Sequence, residues 1–273
     1  MNFIKYFRRF SAVKNRPTVV AFTGGMGAQI ISAAAYFSMR NSGRLVYADL
    51  SYFDQPEHIA AIGKPGECSH WTWQLDPFGL SLASFETSPG LTKRSADILE
   101  DGPLKLGLGL KALALPEIQS LFEIPVEVEN VLPEEFAHDY LCIHVRRGDY
   151  ANVASHLVAD SEFISLARKF SGLVNGVVVI SDSPITPDFR NAVSPYFKVA
   201  AFLDNSDAYS AHCIMRRARI LICSNSQFSL IAAALNPNAL VLIPKQWLGG
   251  NDRNIEAPIN SRCLFQIMEN GSI

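Results

Sequence analysis

Tyr140-Leu141-Cys142-Ile143-His144-Val145-Arg146-Arg147-Gly148-Asp149-Tyr150 passes from an apolar run into a charged one without a transition. The stretch Tyr140 to Val145 reads as a buried strand. In parallel α/β sheets, ligands bind beyond the carboxyl ends of the strands. Two guanidinium groups at such an end can grip a diphosphate through forked hydrogen bonds. A fixed cation there stabilises negative charge as it develops on a phosphate leaving group, and needs no metal to do so. Arg146 and Asp149 are therefore the candidate catalytic residues. Arg146 supplies the cation, and Asp149 either orients an arginine or acts as a base, with His156 as a second candidate base. A solvated charge run after a strand is the alternative.

Working outward, the downstream sequence alternates strand and helix patterns. Helices are predicted over Ser161–Phe170, Tyr209–Arg217 and Phe228–Leu235, and strands over Val177–Ile180, Ile220–Cys223 and Leu240–Ile243. Such alternation argues for a parallel sheet. Upstream, the β-branched run Thr18–Thr23 ends in Gly24-Gly25-Met26-Gly27. Ile30, Ala33, Ala34 and Phe37 then recur at helical spacing, and Arg44–Ala48 reads as a strand ending at Asp49. This β-loop-α-β unit opens another parallel sheet. From Asp54 to Leu132, Pro, Gly and Trp punctuate helices and irregular loops. A boundary near Pro133–His138 gives an α/β protein of two Rossmann-like halves facing a central cleft. The corresponding division is an N-terminal segment 1–16, an N-terminal domain 17–135 and a C-terminal domain 136–273.

Three further loops carry chemistry. Ser224-Asn225-Ser226-Gln227-Phe228-Ser229 joins a strand to a helix; small hydroxyls and free N–H groups at a helix start bind phosphate, although Ser or Asn there also serves as an ordinary cap. Gly24, Gly25 and Gly27, followed by Gln29, let backbone approach a ligand closely. They mimic a dinucleotide fingerprint with Asp49 further on, but Ile30 stands where its third glycine should be. Asp182 ends a strand, where it meets a ribose or base edge or caps the next turn. Trp71 and Trp73 line a sugar site or pack in the core.

The chain has 273 residues, 48% hydrophobic and 18% charged, with a net charge of -2, so any anion site is a local cluster and no nucleic-acid partner is implied. Five cysteines without a CxxC pair read as buried thiols of a reducing compartment, not a zinc or disulfide framework. No apolar stretch is long enough to cross a membrane. Phe3, Ile4, Phe7 and Phe10 recur at helical spacing among Lys5, Arg8, Arg9, Lys14 and Arg16. Residues 1–16 therefore read as a helix on an anionic membrane surface, as one docked on the protein's own body, or as a frayed terminus. The expected location is cytoplasmic, with peripheral contact at the inner membrane face.

Taken together, these segments resemble the α-1,2-fucosyltransferases, and more distantly the α-1,6- and protein O-fucosyltransferases. The family's Gly-Gly-Leu-Gly-Asn-Gln is matched by Gly24 to Gln29, and its HxRRGDY is complete in His144 to Tyr150. Its Ser-Asp-Asp is matched by Ser181-Asp182-Ser183, its Asn-Ser-x-Phe-Ser by Asn225 to Ser229, and its Pro-Lys-x-Trp by Pro244 to Trp247. The resemblance implies a GT-B fold, a GDP-fucose donor, a glycan acceptor, inversion at the anomeric carbon, and neither metal nor cofactor. It implies that Arg146 holds the β-phosphate with His144 and Arg147 nearby. Ser226, Phe228 and Ser229 would contact phosphate and nucleotide, with Asp182 at the nucleotide site. Ala28, Ser183 and Leu230-Ile231 depart from the family pattern, so another GDP-sugar or a non-catalytic nucleotide- or glycan-binding relative stays open.

Overall fold

The computed structural model describes residues 16–62, 71–124, 132, 136, 139–148, 150, 156–204, 206–236 and 239–244, and the backbone of Leu264–Met268. The chain divides into two compact units, Met1–Glu123 and Ile124–Ile273, the division falling upstream of Pro133. Each carries a parallel sheet, in keeping with the α/β, GT-B-like expectation.

In the first unit β1 (Thr18–Ala21) lies between β2 (Val46–Asp49) and β3 (Asp97–Leu99), all parallel. The crossover from β1 to β2 is α1 (Met26–Asn41). Its residues Ile30 and Ala33 to Tyr36 are wholly buried. Small side chains let α1 press against α3 (Pro103–Ala112). Gly109 of α3 marks the closest approach, since a Cβ there would lie 2.4 Å from the Ile31 carbonyl oxygen. Between these elements, α2 (Pro56–Ala61) and turns fill the Pro- and Gly-rich region; α4 (Pro116–Gln119) follows α3.

The second unit holds six strands: β4 (Tyr140–Val145), β5 (Gly176–Ser181), β6 (Val199–Asp204), β7 (Ile220–Ile222), β8 (Leu240–Pro244) and β9 (Leu264–Met268). Their spatial order is β6-β5-β4-β7-β8-β9, with every pairing parallel. That is the 3-2-1-4-5-6 order of doubly wound nucleotide-binding sheets. The helices are α5 (Asp160–Phe170), α6 (Pro187–Val193), α7 (Ala208–Arg217) and α8 (Gln227–Ala234).

Because side chains alternate across a strand, β4 serves two cores. Leu141, Ile143 and Val145 join the cluster of Phe163, Leu166 and Phe189 from α5 and α6. Tyr140, Cys142 and His144 face the other layer, where the Tyr140 hydroxyl donates to the Ile214 carbonyl of α7 at 2.6 Å. Cys142, Cys213 and Cys223 are free buried thiols, as read from the sequence; Cys68 and Cys263 lie outside the described residues. The chain leaves β4 for β5 in one direction and β7 for β8 in the other. The direction of winding therefore reverses between β4 and β7, which places a crevice at their carboxyl ends.

Candidate active site

At that reversal the two loops singled out from the sequence meet. Ser224 Oγ and His144 Nδ1 lie 2.8 Å apart, both side chains buried, and bridge the ends of β7 and β4. Burial, with the Arg146 charge adding to it, pushes His144 from the usual 6.5 down to about 3. The imidazole is therefore neutral at physiological pH and acts as a hydrogen-bonding strut, not as a cation. Its ring meets Phe228 edge-on, with centroids 5.5 Å apart.

The loop after β4 is organised by Asp182, at the end of β5. Asp182 Oδ1 accepts from the Arg147 N–H at 2.8 Å and the Gly148 N–H at 3.3 Å. Asp182 Oδ2 pairs with Arg146 Nε at 3.0 Å. One carboxylate thus folds the loop and holds the guanidinium by one edge, while the Tyr150 ring lies 5.4 Å below its carbon. Gly148 has a steric reason: a Cβ there would sit 2.5 Å from Asp182 Oδ2. Ser183, which departs from the family pattern, accepts the Gly148 N–H at 3.1 Å, so a hydroxyl supports the turn in the carboxylate's stead.

Arg147 takes a different direction. It pairs with Asp160 in the first turn of α5 and stacks over Phe163, with its carbon 5.8 Å from the ring centroid. Its charge is thereby occupied in fastening the loop to α5. His156 packs edge-on against Tyr150 at 5.1 Å. Asp149, the candidate base, lies outside the described residues.

On the β7 side, Ser226 is the N-cap of α8 and its hydroxyl accepts from the Phe228 N–H at 3.2 Å. Ser229 Oγ reaches back to the Ser224 and Ser226 carbonyls, each at 3.3 Å. Ser224, Asn225, Ser226 and Ser229 are all buried, while Phe228 is half-buried. Ser226 thus takes the capping role that the sequence allowed beside phosphate contact, and Ser229 staples the turn. What α8 offers an anion at this edge is its backbone N–H groups and dipole.

The first unit's glycine loop is built otherwise. Gly24 has φ 73°, a left-handed conformation that favours glycine, and Gly25 is the N-cap of α1. Gly27 and Gln29 are buried in the helix. Gln29 Nε2 donates to the Gly24 and Thr72 carbonyls, each at 2.8 Å, and Gln29 Oε1 accepts from the Gln74 N–H at 2.9 Å. Gln74 returns its own Oε1 to the Met26 N–H at 2.9 Å. Trp73 packs edge-on against Phe22 and Phe53 and donates to Asp76 at 2.7 Å, whereas Trp71 stacks on His58. Lys105, almost wholly buried, donates to the Ala21 carbonyl at 2.7 Å and pairs with Asp101, which also bonds to Thr23. Burial lowers the Lys105 ammonium's pKa, against the opposing pull of Asp101.

Gln74, Asp160 and Lys105 escaped the sequence reading, because none belongs to a motif. Residues 1–15, most of the basic N-terminal segment, and Lys245 and Trp247 lie outside the described residues. Arg16 pairs with Asp97 at 3.5 Å and donates to the Arg94 carbonyl at 2.7 Å, within its own unit. No described helix is long and apolar enough to cross a membrane. Among the described residues no three His, Cys, Asp or Glu side chains gather as a metal site.

Residues 122–257 match the sequence model of glycosyl transferase family 11. No curated protein sequence matches the chain. Solved structures similar to it include POFUT1 in complex with GDP-fucose (13% identity, 94% of this chain and 99% of that one, TM-score 0.48). Others are a glycosyl transferase family 9 protein from Veillonella parvula (12%, 96% and 89%, 0.49) and the E. coli ADP-heptose lps heptosyltransferase II (8%, 92% and 90%, 0.48). The family match identifies the chain as a glycosyltransferase.

Proposed function

We propose that this glycosyltransferase moves fucose from GDP-fucose to a hydroxyl of a glycan acceptor, in α-1,2 linkage, with inversion and without a metal. One observation carries the reading. The loops after β4 and β7 are joined at the point where the winding reverses, by His144 and Ser224 at 2.8 Å, with Arg146 fixed beside them by Asp182. A pyrophosphate at this edge would face a guanidinium on one side and the start of α8 on the other. Arg146 would stabilise the charge on the β-phosphate as the sugar bond breaks. Asp149 is assigned as the base that takes the acceptor proton. Residues 1–16 would touch the inner face of the membrane, which suits a cytoplasmic enzyme acting on a surface-glycan precursor.

Incubation of the full chain with GDP-fucose, GDP-mannose and UDP-galactose tests the donor, with galactose-terminated acceptors present and EDTA added. Fucose transfer and GDP release with GDP-fucose alone, undiminished by EDTA, is the expected result. Activity with the UDP-sugar alone, or complete loss of activity in EDTA, would overturn the reading.

A further inference from the structure

His212 is wholly buried in α7, and among the described residues neither of its ring nitrogens has a hydrogen-bond partner. An apolar ring of similar size would fill the space without the desolvation cost that an unpaired buried polar group carries. Its position gives that cost a use. The helices run antiparallel to the strands, so α7 begins, at Asp207, on the carboxyl edge of the sheet, and α8 begins there too. The imidazole lies one turn inside α7, against the first turn of α8, with its centroid 5.5 Å from that of Phe228. Phe228 also touches His144 at 5.5 Å, so its half-buried ring stands between two imidazoles at the edge of the crevice. Burial, with the Arg216 charge adding to it, keeps His212 neutral, so its ring carries one N–H donor and one acceptor.

We propose that His212 is a nucleobase-recognising residue of the donor site, with Phe228 as the movable ring that covers it until a purine enters. This rests on the GDP-sugar reading above and deepens it. Displacement of Phe228 by the base brings the imidazole N–H to the base edge. Guanine presents acceptors at both N7 and O6, whereas adenine presents a donor at position 6. A single N–H donor placed there favours guanine and meets adenine's amino group donor to donor. The buried nitrogen, unpaired in the ligand-free chain, is then paired in the complex.

The test uses the full chain and two readouts, thermal unfolding without ligand and calorimetric affinity for GDP and ADP. His212→Phe keeps the ring and its contact with Phe228 but removes both nitrogens. Its unliganded melting temperature should equal or exceed that of the wild type. Its affinity for GDP should fall about tenfold, the loss of one net hydrogen bond, and its preference for GDP over ADP should fall by a similar factor. His212→Gln, which keeps a donor, should retain part of the preference and serves as the second variant if the first does not fold. An unchanged GDP/ADP ratio in a folded variant would overturn the role of His212 and leave the donor reading intact. A wild-type chain that binds no GDP would overturn both.

Discussion

The glycine loop after β1 and the arginine loop after β4 share one design, a buried parallel strand that runs out at its carboxyl end into polar residues. They differ in where their hydrogen bonds go. In the first unit they turn inward: Gln29 spends its amide on Gly24, Thr72 and Gln74, and Gln74 caps the Met26 N–H. Of the N–H groups that open α1, that of Met26 is taken by a side chain of the same unit. In the second unit the bonds fix a charge at the strand end. Asp182 folds the backbone and holds Arg146, and His144 ties that loop to the start of α8. Glycine spacing alone therefore does not make an anion site; what the neighbouring side chains do with the exposed N–H groups decides it.

The largest effect should come from Arg146. Arg146→Ala is expected to lower kcat by about 10²–10³-fold with the fold intact by circular dichroism, as for loss of one preorganised transition-state donor. Arg146→Lys should recover little, because a point charge cannot fork. A variant of near-normal activity would erase the distinction between the two loops. Next comes Asp182→Asn. The amide can still accept from the Arg147 and Gly148 N–H groups but loses the ion pair to Nε, and a misplaced guanidinium should lower kcat/KM by about a hundredfold. Kinetics that separate kcat from KM would show whether the loss falls on the chemical step.

For the glycine loop the expectation is reversed. Gln29→Leu removes three internal hydrogen bonds and strands their partners, so stability should fall by about 2–4 kcal/mol, read from urea unfolding. GDP affinity of the folded variant should be unchanged. A large loss of GDP affinity with little loss of stability would show that the loop binds the donor through this residue.

The smallest effect concerns pH. The folded chain holds His144 at about 3 and the unfolded chain near 6.5, so between those values the unfolded state binds more protons. The stability tied to the neutral imidazole is whole above pH 6.5 and declines as the pH falls towards 3. Between pH 6.5 and 5, above most carboxylate titrations, His144→Asn should show a shallower decline in unfolding midpoint than the wild type. Gln29 does not titrate, so Gln29→Leu should leave that slope as it is.

Much of this architecture was legible in the residues. Tyr140–Val145 and Ile220–Ile222 are short apolar runs that stop at polar clusters, and buried parallel strands read that way whatever their neighbours. Edge strand β6 was missed because its half-exposed Val199–Asp204 lacks that continuous apolar run, and β3 because three residues show no period. The adjacency of β4 and β7 is a property of winding. Strands β5 and β6 and helices α5, α6 and α7 intervene between them in sequence, and strand order is not written in either segment. Nor did a motif announce Gln74, whose contacts come from what lies across the fold from it. Asp182, read as a ribose, base or cap contact, holds the arginine loop together, and Ser226, read for phosphate or as an ordinary cap, caps α8.

The most direct test is a crystal structure of the full chain with GDP bound. The account predicts the pyrophosphate within hydrogen-bond distance of the Arg146 guanidinium, against the N–H groups that open α8. Phosphates seated on the Gly24–Met26 turn, with Arg146 still paired to Asp182 and touching no phosphate oxygen, would contradict it.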